Sequence, residues 1–92
     1  MQVYFYANLR QIVGGKTARF DLPGQVRLSS VMAAVVERYP ALHDLLFTES
    51  GVLRQQVHLF VNGRDVLYLP EGFETTLLAE DRLDIFPPVG GG

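Results

Sequence analysis

Two histidines, a cluster of carboxylates, a pair of serines, a Gly-Gly-Lys turn and a run of three glycines are the places where this 92-residue chain could take part in chemistry. His43 falls in a helical segment and His58 in a strand, with no carboxylate at ligand spacing, whereas zinc ordinarily takes three or four protein ligands. They read as a partly exposed helix residue and an outward-facing strand residue. Ser29 and Ser30 lack the Gly-x-Ser-x-Gly setting of a nucleophile elbow. They suit the start of a helix, where a hydroxyl satisfies an orphan amide. Gly14-Gly15-Lys16 precedes no helix that would aim amides at a phosphate, and no Gly-x-x-x-x-Gly-Lys-Ser/Thr run exists, so it reads as a turn. Glu80, Asp81 and Asp84 lie near one another with nothing apolar or basic to drive their pKa values apart, and read as a solvated loop. The expectation is a chain with no metal, no bound cofactor and no catalytic side chain.

The end of the chain is different. Phe86-Pro87-Pro88-Val89-Gly90-Gly91-Gly92 closes the sequence. Two prolines, which have no amide to donate, end a strand and stiffen its exit. Three glycines then make a thin thread that ends in a carboxylate. Lacking a Cβ, such a thread can enter a channel too narrow for other residues. A frayed terminus or a cloning scar is the plain alternative. The residues before the glycines already read as a strand exit, which weighs against a scar. The expected organisation is one folded domain over 1–88 and a flexible tail over 89–92.

Something must hold that thread out. At 92 residues folding buries only about 60–65% of the unfolded surface, so nearly every apolar residue is needed for the core. Hydrophobic residues make up 48% of the chain, enough to exclude a disordered sequence. Net charge is −2 and no basic stripe exists, which argues against a nucleic-acid or anionic-membrane partner. The absence of cysteine removes disulfides, thiolate metal sites and a cysteine nucleophile together. No apolar run has the length of a membrane span, and the N-terminus lacks the marks of a signal peptide, so a cytoplasmic protein is expected.

Val3, Phe5 and Ala7 alternate with Gln2, Tyr4 and Tyr6, the period of a strand. A second strand, Thr17 to Leu22, would return antiparallel after a long turn. From Ser29 or Ser30 a helix is expected, with Val31, Val35 and Tyr39 on one stripe beside Met32 and Val36, stopping before Pro40. Ala41 to Phe47 would add a helical turn and Thr48 to Gly51 a loop. Val57, Leu59 and Val61 alternate with Gln56, His58 and Phe60, and Asn62-Gly63 then signals a tight hairpin. Val66 to Tyr68 would be the returning strand, closed by Pro70. Glu71 to Asp81 is a connection with room for a short helical turn, and Leu83 to Phe86 is the last strand. Helices do not alternate with every strand, so the class is α+β: one main helix across a mixed sheet.

Tyr4-Phe5-Tyr6-Ala7-Asn8-Leu9-Arg10 with Gly14-Gly15-Lys16, then Val61-Asn62-Gly63-Arg64-Asp65-Val66, and above all Leu83-Asp84-Ile85-Phe86-Pro87-Pro88-Val89-Gly90-Gly91-Gly92, resemble the MoaD/ThiS family of sulfur carrier proteins. The resemblance spans nearly the whole chain. Its hairpin is similar to the version in CysO, the longer carrier of cysteine biosynthesis. Gly90 takes the family's variable position and Gly91-Gly92 its functional pair. Glu80-Asp81 departs from the Gly-Asp often found there.

The resemblance implies a ubiquitin-like β-grasp of four to five strands. It also implies that an E1-like enzyme of the MoeB or ThiF kind adenylates the Gly92 α-carboxylate, with ATP used by that partner. Gly92 would then carry sulfur as a thiocarboxylate to an acceptor, such as the large subunit of molybdopterin synthase or a cysteine-synthase-like enzyme. The chain would be no enzyme itself, only the small subunit of a synthase or a free carrier in molybdopterin, cysteine or tRNA-thiolation chemistry. Tyr6 and Phe86 match partner-facing positions near the tail. Pro87 and Pro88 would aim the thread of Val89, Gly90 and Gly91. Val66 and Leu67 would extend the docking patch, with a core role the equal alternative for Val66. Two other readings share the fold: a protein modifier joined through Gly92 to a lysine, and an interaction module with an inert tail.

Overall fold

A computed structural model describes residues 1–88. The expectations for Val89, Gly90, Gly91 and Gly92 lie outside those residues.

Among the described residues seven strands form: β1 (Gln2–Phe5), β2 (Thr17–Arg19), β3 (Gln25–Arg27), β4 (His58–Val61), β5 (Arg64–Asp65), β6 (Thr76–Leu78) and β7 (Arg82–Phe86). Five make the main sheet in the order β2-β1-β7-β4-β5, and β3 pairs with β6 in a small second sheet. β1 and β7 are parallel; the other neighbours in the main sheet are antiparallel. Helices are α1 (Leu9–Val13), α2 (Leu28–Arg38) and α3 (His43–Leu46). The period-two pattern turns Val3, Phe5, Leu59, Val61, Leu83 and Ile85 inward, where they share one core with Leu28, Val31, Met32 and Val35 of α2. This is the expected α+β arrangement, a mixed sheet grasping one main helix.

Several local expectations change. β1 ends at Phe5, because Ala7 takes a positive φ of 53° and the chain turns into α1 where a long turn is expected. Gly14, at φ 79°, closes α1 by donating its amide to the Arg10 carbonyl, a conformation glycine adopts without Cβ strain. β2 stops at Arg19, short of the expected Leu22. Strands β3 and β6 were unforeseen, although the expected helical turn in that connection exists as a 3-10 turn over Gly72–Glu74.

α2 starts at Leu28, before the two serines. Its flanking residue Arg27 makes no side-chain cap, and the Leu28 amide is bonded to the Thr75 carbonyl at 2.8 Å. Ser29 and Ser30 therefore lie in the first turn, and Ser29 Oγ donates to Glu74 Oε1 instead. The helix ends before Pro40 as expected.

The Asn62-Gly63 hairpin forms with φ of 51° and 82°. Its return strand is only two residues long. Asp65 Oδ1 accepts the Leu67 amide at 2.9 Å and winds Val66–Tyr68 into a 3-10 turn, a local bond outcompeting the ladder. Among the described residues no helix is long and apolar enough to cross a membrane.

Candidate functional site

The same alternation that fills the core sets out a second face. On β7, Arg82, Asp84 and Phe86 point away from the core; on β4, His58 and Phe60 do so; on β1, Tyr4 does. Register brings them together: His58 lies opposite Phe86, and Phe60 and Tyr4 flank Asp84 from either side.

Tyr6, just past β1, lays its ring on that of Phe86, with centroids 4.0 Å apart and planes 13° from parallel. Phe60 meets Phe86 edge-on at 5.4 Å and 79°. Such offset-stacked and T-shaped pairs are favourable beyond their buried area. The Arg10 guanidinium sits 5.2 Å from the Tyr6 ring centroid while its Nε donates to the Phe5 carbonyl. His58, Phe60, Asp65, Phe86 and Pro87 line a shallow, mostly apolar cup beside these rings. Pro87 is buried and Pro88 half-buried, so the chain leaves the sheet from the edge of this cup.

Beneath the rings lies an ionic knot. Asp84 is the one buried charged residue among those described, at 7% exposure. Its Oδ1 accepts from Tyr6 Oη at 2.8 Å and from Arg82 Nη2 at 2.9 Å, and Arg82 Nε reaches both carboxylate oxygens. Arg82 Nη2 also donates to Tyr6 Oη at 3.2 Å, and the guanidinium lies over the Tyr4 ring at 3.6 Å. Bonds to Asp84 first, and then to Tyr6, push the Arg82 pKa above its already high ordinary value, so the guanidinium stays charged. The pair is internally neutralised, and the face as a whole is aromatic.

Asp84 thus departs from the expected solvated loop. Alternation along β7 seats it on the sheet, and Arg82, two residues away on the same face, is its basic neighbour. Asp81 holds a turn, accepting from Asn62 Nδ2 and from the Leu78 amide, and only Glu80 is plainly solvated. His58 faces outward as expected. His43 bonds Asp44 at 3.0 Å at the start of α3. Among the described residues no group of three metal-ligating side chains converges.

Of the residues expected at a docking patch, Tyr6, Phe86 and Pro87 come together, with Pro88 next in line. Val66 and Leu67 do not join them. Val66 turns into the core at 8% exposure, because the 3-10 turn rotates it under the sheet edge rather than out along a strand. Leu67 is 76% exposed, but lines a separate apolar groove with Val52, Leu53 and Phe73. Phe60 and Asp65 were missed. The signal for Phe60 was present: a large aromatic at an outward position beside His58, on a strand whose inward positions were already filled.

The sequence profile of the ThiS family matches residues 3–92. Small archaeal modifier protein 1 of Haloferax volcanii is 32% identical over 92 residues, which cover 100% of both chains. Its crystal structure superposes with a TM-score of 0.86 at 29% identity, over 100% of this chain and 98% of that one. Small archaeal modifier protein 3 of the same organism is 30% identical, covering 100% of this chain and 98% of the relative. CysO in the BexX/CysO complex of Amycolatopsis orientalis is similar at a TM-score of 0.78 and 26% identity, covering 99% of this chain and 98% of that one. With a family match over nearly all its length and a five-stranded sheet grasping one main helix, this chain belongs to the ThiS family of small ubiquitin-like modifiers and sulfur carriers.

Proposed function

We propose that this chain is a sulfur carrier of the cytoplasm whose working group is the α-carboxylate of Gly92. The folded body is 1–88, and 89–92 is the segment that a partner threads. A carboxylate is a poor acyl donor, because oxide is a poor leaving group. An E1-like enzyme supplies ATP, and a Gly92 oxygen attacks the α-phosphorus. The bond to the β-phosphate oxygen breaks, pyrophosphate leaves, and an acyl-adenylate forms. A hydrosulfide-level sulfur nucleophile then attacks the acyl carbon and expels AMP, leaving a thiocarboxylate. ATP and the catalytic side chains belong to the partner. The acceptor is a protein such as the large subunit of molybdopterin synthase or a cysteine-synthase-like enzyme.

The observation that supports this reading is the aromatic face of Tyr6, Phe60 and Phe86 at the point where Pro87-Pro88 hand the chain to its last four residues. An apolar, rigid surface there gives a partner something to grip while the glycines reach its active site. The neighbouring CysO structure, solved in complex with BexX, fits a carrier that docks on a partner protein. Incubation of the full chain with ATP, a sulfide source and candidate activating enzymes, followed by intact mass measurement, tests the reading. An oxygen-for-sulfur mass gain at Gly92 is the expected result. Adenylation without any sulfur product overturns it.

A second reading is favoured by the names of two relatives, both small archaeal modifier proteins. The same acyl-adenylate can be passed to a lysine amine. A Gly92 remnant in isopeptide linkage on cellular proteins distinguishes this outcome.

A further inference from the structure

We propose that Asp84 is a positioning residue of the docking face, holding Tyr6 flat against Phe86 through the tyrosine hydroxyl. The proposal rests on the docking role given to that face above and adds what keeps it in shape.

The placement of the carboxylate is the first reason. Position 84 is the outward centre of the middle strand, with Tyr4 on one neighbour and Phe60 on the other. An apolar or β-branched residue would fit that surface without desolvating a charge. Replacing a buried ion pair with apolar groups is often neutral or stabilising, so stability alone does not account for a carboxylate here.

The geometry is the second reason. Tyr6 lies beyond the last β1 residue, and the chain reverses at Ala7, so no ladder position fixes its side chain. Two contacts do. The ring rests on Phe86, and the hydroxyl donates to Asp84 Oδ1 at 2.8 Å, across 78 residues of sequence. Arg82 grips both oxygens of the same carboxylate, and so fixes the acceptor itself. The result is a tyrosine with its ring plane and its tip both set before any partner arrives. A side chain already immobilised does not lose that freedom on binding.

The third reason is exclusion. Asp84 is not a general base for the Gly92 chemistry, because its oxygens are already occupied by Tyr6 and Arg82 and it is 7% exposed. Its reach is through Tyr6.

The test uses the full chain as the substrate of an activating enzyme in ATP–pyrophosphate exchange, with Tyr6–Phe86 ring contacts measured by NMR on the free protein. Asp84→Leu and Tyr6→Phe are each expected to raise KM about three- to tenfold with kcat unchanged, the scale of freeing one side chain. The double variant should be no worse than Tyr6→Phe, which already removes the bonds of the hydroxyl to Asp84 and to Arg82. Asp84→Asn keeps an acceptor for the hydroxyl and should restore KM most of the way. In Asp84→Leu the ring contacts should weaken while the fold persists. An unchanged KM in both single variants, with wild-type exchange intact, overturns the positioning role and leaves the carrier reading standing. Absence of exchange with wild-type protein counts against the carrier reading instead. The ring contacts then judge Asp84 by themselves, and equal contacts in wild type and Asp84→Leu overturn it.

Discussion

The face of Tyr6, Phe60 and Phe86 and the groove of Val52, Leu67 and Phe73 are both apolar, and they are built in opposite ways. In the first, each ring is half-buried and locked to another ring, and one is tied by its hydroxyl to a buried carboxylate. In the second, the most prominent side chains stand free: Leu67 is 76% exposed and Val52 60%. Exposed area alone would rank the groove above the face. Recognition depends on more than area, because ordering loose side chains on binding offsets what their burial contributes. A surface whose geometry is fixed beforehand binds with less to lose. On the proposed reading the rings are the docking surface, and Leu67, which lines the separate groove, contributes less.

The largest effect expected on the ring side of this comparison comes from the terminus that it serves. Each residue of extended chain spans about 3.3–3.6 Å, and even a misplacement of about 1 Å can cost ~100-fold in rate. Deleting Gly92 should lower kcat/KM for adenylation by at least ~100-fold while thermal unfolding stays where it was. A loss of cooperative unfolding would show instead that the terminus belongs to the core. Next in size is Phe86→Ala, which removes the ring that both Tyr6 and Phe60 contact. Its KM for the activating enzyme should rise roughly 10- to 100-fold, the range of an aromatic hot spot. Stability should fall by only about 1–3 kcal/mol, since the ring is half-buried. A twofold change or less in KM would erase the distinction between the two regions.

Sequence made some of this legible and hid the rest for physical reasons. The stripe of α2, its stop before Pro40 and the Asn62-Gly63 hairpin are local facts, decided within a few residues. So is the exit at Pro87-Pro88. α1 is five residues long, too short to be stable by propensity, and it exists because Leu9 is fully buried in the core. β3 and β6 are three residues each and define one another across 51 positions of chain, Val26 pairing with Leu77. The serine caps were pre-empted by a distant carbonyl, that of Thr75. Asp84 is the sharpest case. Its sequence neighbours Glu80 and Asp81 suggest solvent, whereas period-two alternation with Phe86 places it among rings. Its decisive partner, Tyr6, lies at the other end of the chain.

Two adjacent residues give the finest division between the regions. Val66 and Leu67 follow one another in the same 3-10 turn, one 8% and the other 76% exposed. Val66→Ala deletes buried methyl groups, and should lower stability by about 2 kcal/mol with KM for activation unchanged. Leu67→Ser is the smallest effect expected. Its side chain meets mostly water, so stability should stay within about 0.5 kcal/mol of wild type. Its amide bond to Asp65 is a backbone bond, which the substitution keeps, so the turn that buries Val66 should persist. If docking belongs to the rings, KM should move by less than about twofold, the margin of a near-neutral rim contact. A rise of tenfold or more in Leu67→Ser would place the groove inside the docking surface, running from the cup past Asp65, and would mean that loose apolar side chains are gripped as firmly as locked ones.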